Sequence, residues 1–211
     1  MIQSNLESIY QQATQEQDTS YASSPLKQLE ERVNALVSFL KKDYGKKDIA
    51  IRVLDRISKG FSLKEIAGQY HLSQNKVQTV VRECKTAIMV TETEVITNTL
   101  LITTYQAKKT LDVYSGKNAR ETPNTPFAFE DINFTDRESH VFYLTVFGYS
   151  PSCIATTIHI TNNRLHQITQ SISQKIQEHE HSHTKIEKND WIVYFWQEIQ
   201  RRIREPHPPL E

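Results

Sequence analysis

The strongest constraint on the fold is an internal similarity between two stretches of the chain that lie 88 residues apart. Gly60–Ser62 aligns with Gly148–Ser150, and the register continues without a gap over 22 positions, most pairs keeping their apolar, hydroxyl, amide or cationic character. Similarity at a fixed offset is typical of one structural unit used twice. We therefore predict two equivalent units, the first segment (residues 46–85) and the second segment (residues 134–175).

Helix-start and helix-stop residues divide each segment into three short helices. In the second segment, Thr135 and Glu138 form a capping-box pattern, and Gly148 supplies the stop of that helix. Further N-caps are expected at Ser62, Ser73, Ser150 and Thr161. The small residues Ala67 and Ala155 allow the second and third helices to cross closely. Each segment is thus predicted to be a helix-turn-helix unit.

Composition favours helices in the rest of the chain as well. Five glycines and seven prolines in 211 residues leave little material for the many tight turns of an all-β protein. Long apolar periodicities near 3.6 residues occupy the stretches outside the two segments. The predicted fold is therefore all-α, with two helix-turn-helix units joined by a long helix and a linker.

The second segment resembles a known DNA-binding family. Residues 134–176 resemble the DNA-binding domain of the LuxR-type regulators through Thr135, Arg137, Glu138, Val141, Leu144, Gly148, Ser150, Ile154, Ala155, Ile160, Thr161, Leu165, Lys175 and Ile176. Within the first segment, residues 62–83 are similar to that domain and to the promoter-reading fourth region of sigma factors through Leu63, Glu65, Ile66, Ala67, Leu72, Ser73, Val77 and Val80. The resemblance implies a bacterial protein whose third helices lie in the DNA major groove.

Charge is unevenly divided between the two segments. The whole chain has 25 Lys and Arg against 25 Asp and Glu, yet residues 46–85 hold nine cations and four anions, whereas residues 134–175 hold three cations and two anions. Affinity for DNA comes largely from cations that neutralise phosphates. The first segment is therefore expected to be the better DNA binder.

The candidate DNA contacts lie on the third helix of each segment. They are Ser73, Gln74, Asn75, Lys76, Gln78, Thr79 and Arg82 in the first segment, and Thr161, Asn162, Asn163, Arg164, His166 and Gln167 in the second. Amides and cations are the side chains that read adenine and guanine edges. The second set is rich in amides and poor in charge, so it is expected either to read bases once the first segment holds the DNA, or to bind protein instead.

The flanking regions are predicted from periodicity and from Gly and Pro. Residues 1–25 are expected to be a flexible tail, and residues 26–44 an amphipathic helix that packs on the first segment or forms a homodimer. Residues 86–114 are predicted to be one helix continuous with the preceding one, about 42 Å long. Residues 115–133 are expected to be a mobile linker. After the second segment, residues 177–211 are predicted to form a His-containing linker and a C-terminal helix. The apolar stripe of this helix, over residues 191–203, is expected to be core or a dimer surface.

Several functional classes are not expected. Cys84 and Cys153 lack the spacing of a zinc or redox site, and the alternating Glu and His of residues 178–183 define no fourth ligand, so no metal or other cofactor is predicted. Gly-rich phosphate loops and catalytic motifs are missing, which argues against an enzyme. No long apolar run or signal peptide is recognised, so a cytoplasmic location without membrane partners is expected.

These features together predict a sequence-specific transcriptional regulator that binds double-stranded DNA through two helix-turn-helix units. One alternative is a sigma-like or adaptor protein whose second unit docks onto RNA polymerase or another regulator. A further alternative is an accessory protein for the DNA of a mobile element, which would use the same DNA contacts.

Overall fold

The computed structural model describes residues 23–42, 44–90, 96–116, 132–179, 186 and 188–204. Every regular element in these ranges is an α-helix, as predicted. The helices are α1 (Ser23–Lys42), α2 (Tyr44–Ile57), α3 (Leu63–Gln69), α4 (Gln74–Ala87), α5 (Asn98–Gly116), α6 (Asp136–Val146), α7 (Pro151–Thr157), α8 (Asn162–His179) and α9 (Lys188–Arg204). The first segment supplies α2–α4, and the second supplies α6–α8.

The N-terminal helix α1 packs on the first segment. Leu29, Val33, Leu36 and Leu40 recur at spacings of three and four residues, and each is at most 4% exposed. This stripe lies against α2, α4 and α5. Because the chain's own core covers it, the expected homodimer through residues 26–44 is not supported.

The helix expected over residues 86–114 is present from Asn98 onward, but it is not continuous with α4. The helix α4 ends at Ala87, and the backbone N–H of Ile88 donates to the carbonyls of Cys84 and Lys85. The helix α5 begins only at Asn98, where the N–H of Leu100 donates to the Thr97 hydroxyl at 3.1 Å. Ile88 and Ile96 are both buried, so the chain turns back into the core on each side of the break.

The centre of the molecule is the packing of α5 against α9. On α9, the buried side chains include Trp191, Phe195 and Trp196. One polar pair lies inside this interface, where the Gln200 amide donates to Thr110 Oγ1 at 3.1 Å. The C-terminal stripe is therefore core over the described side chains up to Ile199, and the expected dimer through residues 191–203 is not supported either.

Each segment is attached to this helix pair by its own contacts. In the second segment, the ring of Phe142 stacks on Trp191 at 5.1 Å, and Trp196 Nε1 donates to the carbonyl of Val146 at 3.0 Å. In the first segment, the carboxylate of Asp55 accepts hydrogen bonds from Tyr105 Oη at 3.0 Å and Lys109 Nζ at 3.2 Å, both on α5. The helix pair thus holds both segments.

Three predicted regions lie largely outside the described residues. These are the N-terminal tail up to residue 22, the linker over residues 117–131, and the His-containing run over residues 180–185. At the border of the linker, α5 extends to Gly116, slightly further than predicted. None of the helices described is long and apolar enough to cross a membrane.

Two glycines at corresponding turns provide a matched test of this packing. Gly60 and Gly148 have φ of +80° and +89°, so alanine at either position should cost about 1–2 kcal/mol of backbone strain. At Gly148 an added Cβ would also lie 3.3 Å from Leu100 Cδ1, whereas at Gly60 no atom in the described ranges lies within 4 Å of it. We expect Gly148→Ala to lower the free energy of unfolding by roughly 1 kcal/mol more than Gly60→Ala, measured by urea denaturation. Equal losses would contradict the packing of this turn on α5.

Candidate nucleic-acid interface

The short helix α3 is fixed by a capping box. The N–H of Glu65 donates to Ser62 Oγ at 3.3 Å, and the Glu65 carboxylate accepts the Ser62 N–H at 2.8 Å. Hydrogen bonds from the Ser62 side chain and backbone lower the pKa of this carboxyl. On the opposite face, Ile66 and Ala67 are buried. The box therefore sets where α3 begins, and the small Ala67 lets α4 approach.

A four-residue connection, residues 70–73, joins α3 to α4. His71 takes a left-handed conformation with φ of +53°, and the N–H of Leu72 donates back to the carbonyl of Ala67 at 2.9 Å. Ser73 then caps α4, because its hydroxyl accepts the N–H of Lys76 at 3.2 Å. These local bonds hold α4 at a defined angle to α3.

The second segment shows the same local geometry 88 residues later. His159 has φ of +53°, and the N–H of Ile160 donates to the carbonyl of Ala155 at 2.9 Å. The hydroxyl of Thr161 accepts the N–H of Arg164 at 3.2 Å and so caps α8. The expected caps Thr135 and Ser150 are also present, so every predicted cap is confirmed.

The helix α4 exposes most of the residues predicted to contact DNA. Its inner face is apolar and buried, through Val77, Val80, Val81 and Cys84. The exposed positions are Ser73, Gln74, Asn75, Lys76, Gln78 and Arg82. Thr79 is half-buried and its hydroxyl donates to the carbonyl of Asn75, while the hydroxyl of Ser73 serves as the cap. Five side chains with amides or cations therefore form one polar face.

The cysteine on α4 lies on the buried inner face of the helix. The Cys84 side chain is fully buried. Its burial, together with the nearby charge of Glu83, raises the pKa of the thiol to about 12. A thiol held in this form is a packing group and not a nucleophile.

A groove beside α4 adds residues that were not among the predicted contacts. It is lined in part by Gln78 and Arg82, and also by Lys85 and Asn98. Burial lowers the pKa of Lys85. The helical spacing between Gln78, Arg82 and Lys85 places the three residues on one face of α4, so Lys85 was identifiable from the sequence. Asn98 lies on α5 and lines the groove only because the chain turns after Ile88, so no local sequence pattern identifies it.

The helix α8 exposes a face of different chemistry. Its buried side is formed by Leu165, Ile168, Ile172 and Ile176. The predicted contacts Thr161, Asn162, Asn163, Arg164, His166 and Gln167 are all exposed. Arg164 Nη1 donates to Gln167 Oε1 at 3.0 Å, and the His166 ring is 3.1 Å from the amide of Gln170. Amides therefore dominate this face, and its one arginine is held by a neighbour.

A buried carboxylate joins the two ends of the second segment. Glu138 on α6 accepts hydrogen bonds from Ser171 Oγ at 2.6 Å and from Lys175 Nζ at 2.8 Å, both on α8. Burial acts to raise the pKa of Glu138, but the bonds from Lys175, Ser171 and Thr135 outweigh it and lower the pKa to about 2. This network fixes the base of α8 against α6.

The charges of the two third helices differ. The helix α4 carries three cations, Lys76, Arg82 and Lys85, against one anion. The helix α8 carries Arg164 and Lys175 against one anion, and Lys175 is the partner of Glu138. The polar face of α4 is therefore the more cationic of the two.

Within the described ranges, no three His, Cys, Asp or Glu side chains lie close enough together to hold a metal ion. Comparison with protein-family models, with curated proteins and with solved structures found no match for this chain. The geometry of α3–α4 and α7–α8 is consequently the basis for any functional proposal.

The Glu138 network predicts an acid-sensitive contribution to stability. Because the pKa of about 2 in the folded chain lies below that of an unfolded glutamate, about 4, the ionised carboxylate stabilises the fold above pH 4. That contribution is lost as pH falls from about 4 to about 2. We expect Glu138→Gln to cost about 2 kcal/mol at pH 7 and almost nothing at pH 2, measured by urea denaturation across this range.

The exposed capping-box residue Glu65 is the matched control. It also accepts bonds from an N-cap, but it has no cation comparable to Lys175 in its hydrogen bonds. Glu65→Gln should therefore destabilise the chain less than Glu138→Gln at neutral pH. A Glu138→Gln penalty that persists unchanged at pH 2 would show that the ion pair is not its source.

Proposed function

We propose that this protein is a sequence-specific DNA-binding transcriptional regulator that uses two helix-turn-helix units. In this proposal the first segment and the second segment are two copies of one unit, similar to LuxR-type domains. The third helix of each unit, α4 or α8, enters the major groove of double-stranded DNA. The first unit supplies most of the attraction to phosphates, and the second adds base contacts through its amides.

The observation that carries this proposal is the shape and chemistry of α3–α4. A short helix, a turn with a left-handed residue at His71 and a capped second helix together give the helix-turn-helix shape. The polar face of α4 then presents Lys76 and Arg82 beside amides, while its apolar face is buried. A helix of this kind has the side chains needed to neutralise phosphates and to pair with base edges.

The salt dependence of DNA binding tests the role of the first segment. Each phosphate contact contributes nearly one to the slope of log affinity against log salt concentration. We expect the double variant Lys76→Ala and Arg82→Ala to bind duplex DNA more weakly and to lower this slope by about 2. Fluorescence anisotropy of labelled random-sequence DNA at several salt concentrations provides the measurement.

A control must remove the same charge from another surface. Lys27 and Lys41 are exposed on α1. The double variant Lys27→Ala and Lys41→Ala should leave the slope nearly unchanged. If both double variants behave like the intact chain, DNA binding by the polar face of α4 is refuted.

A second candidate function is favoured by the weak charge of α8. Because Lys175 is paired with Glu138, Arg164 is the main positive charge that this helix offers to phosphates. The second unit would then dock onto RNA polymerase or another regulator, and the protein would act as a sigma-like factor or adaptor. DNA binding by the first unit is common to both candidates.

Sequence preference separates these two candidates. Good bidentate amide contacts contribute about 1–3 kcal/mol of discrimination against a wrong base. If α8 reads bases, Asn163→Ala with Gln167→Ala should weaken binding to DNA selected from a random pool by at least tenfold, but change binding to unselected DNA little. Gln174→Ala, at an exposed amide further along α8, is the control. Unchanged binding to the selected DNA would favour the adaptor.

A further inference from the structure

In each segment, a turn follows the first of the three helices, α2 or α6. Other helices of the chain cover the turn after α6, whereas among the described residues the turn after α2 is open. In the second segment, an added Cβ at Gly148 would lie 3.3 Å from Leu100 and 3.4 Å from Thr103, both on α5. At the corresponding Gly60, no atom of the described residues lies within 4 Å of that position. Within the described part of the chain, the same backbone turn therefore has a helical partner in one segment and none in the other.

The residues on either side of these two glycines also differ in exposure: they are buried in the second segment and exposed in the first. Phe147 is 1% exposed, and its ring packs against those of Phe195 and Trp196 on α9 at 5.8 and 5.5 Å. Its counterpart 88 residues earlier is Lys59, which is exposed. Tyr149 is 7% exposed, whereas Phe61, its counterpart, is 38% exposed. An aromatic contact in the second segment is thus replaced by a cation beside an exposed ring.

Cations and rings form an ordered row on this part of the first segment. We call Arg52, Arg56, Lys59, Phe61 and Tyr70 the open turn surface. The guanidinium of Arg56 lies 5.1 Å from the centre of the Phe61 ring, and its Nε donates to Tyr70 Oη at 3.2 Å. The guanidinium of Arg52 lies 5.9 Å from the Tyr70 ring. Cation–π contacts and the hydrogen bond therefore hold both arginines in place before any partner arrives.

Two carboxylates close to this row, Asp55 and Glu65, take part in other hydrogen bonds. Asp55 lies next to Arg56 in sequence, but its carboxylate accepts the bonds from Tyr105 and Lys109 on α5. Glu65 is held in the capping box with Ser62. Three positive charges thus remain on the open turn surface for an incoming anion.

We propose that the open turn surface is a docking site for an acidic amphipathic helix of a partner protein. The inference rests on the correspondence between the two segments that underlies the proposed function. Because helices cover this turn in the second segment, a helix is the partner that the same backbone shape fits. Because Lys59 stands where Phe147 stands in the second segment, that helix must bring carboxylates.

The composition of the surface favours protein over DNA. Arginine and aromatic residues are enriched in protein–protein interfaces and at their energetic hot spots. A DNA backbone would use the cations but not the exposed ring of Phe61. The surface also shares no residue with the polar face of α4. The chain can therefore hold DNA with α4 and a second protein with α2 and the following turn.

A peptide with the sequence of α9 is a suitable probe, since α9 covers Phe147 in the second segment. The test peptide spans residues 188–204 and carries Lys188→Glu, Arg201→Glu, Arg202→Glu and Arg204→Glu. The unaltered peptide has the same apolar stripe and the opposite charge. Fluorescence anisotropy of the labelled peptides is measured with the intact chain, with Phe61→Ser and with Lys41→Glu as a control on α1.

We expect the acidic peptide to bind the intact chain at least about tenfold more tightly than the unaltered peptide, and Phe61→Ser to weaken its binding about tenfold. Lys41→Glu should have little effect. Equal binding by the intact chain and Phe61→Ser, or no binding of the acidic peptide, overturns the proposal. Circular dichroism checks that Phe61→Ser remains folded, as its 38% exposure leads us to expect.

DNA binding by the same variant separates this proposal from the proposed function. Phe61→Ser should bind duplex DNA like the intact chain. If Phe61→Ser lowers DNA affinity and leaves peptide binding unchanged, the open turn surface contacts DNA and the docking proposal is wrong. If no variant binds DNA but the acidic peptide still requires Phe61, the DNA-binding proposal fails and the docking site stands.

Discussion

The packing of α5 against α9 is the interaction on which the rest of the structure depends. The first and second segments have about 40 residues each, and a unit of that size buries too little apolar surface to be stable alone. Trp191, Phe195 and Trp196 supply large buried rings to this shared core. The hydrogen bond between Gln200 and Thr110 places polar groups opposite each other inside it, which favours one register of the two helices.

Comparison of the two segments shows how one backbone shape is stabilised by different side chains. The buried Glu138 and the half-buried Lys175 form an ion pair in the second segment, whereas the positions 88 residues earlier are Ala50 and Ala87. The two alanines are packed without any free-energy cost of removing charge from water. The ion pair does carry that cost, and it is favourable only because its hydrogen bonds are complete. Stability of the two segments therefore responds differently to acid, although their turns and caps have the same geometry.

Local features of the fold were predictable from the sequence, and long-range ones were not. The caps at Ser62, Ser73, Ser150 and Thr161 act on backbone groups within three residues, so their pattern is visible in the chain itself. The break after Ala87 was missed because it depends on burial of Ile88 in a core that residues far along the chain complete. The same break brings Asn98 beside Lys85, so the groove beside α4 was not predictable either.

Most of the predicted contacts were found together because helical spacing alone places them on one face. The spacing of residues in the sequence cannot show which Lys and Arg side chains have partners within the chain. These partners determine how much positive charge each helix face presents. On α8, Lys175 is paired with Glu138 and leaves Arg164, whereas α4 exposes both Lys76 and Arg82. In a chain of zero net charge, electrostatic attraction beyond about 10 Å is weak at 0.1 M salt, so under the proposed function orientation on DNA would come from such a local excess of positive charge. Amides release no counterions, so under the proposed function the salt dependence of binding would report on α4, and base preference on both helices.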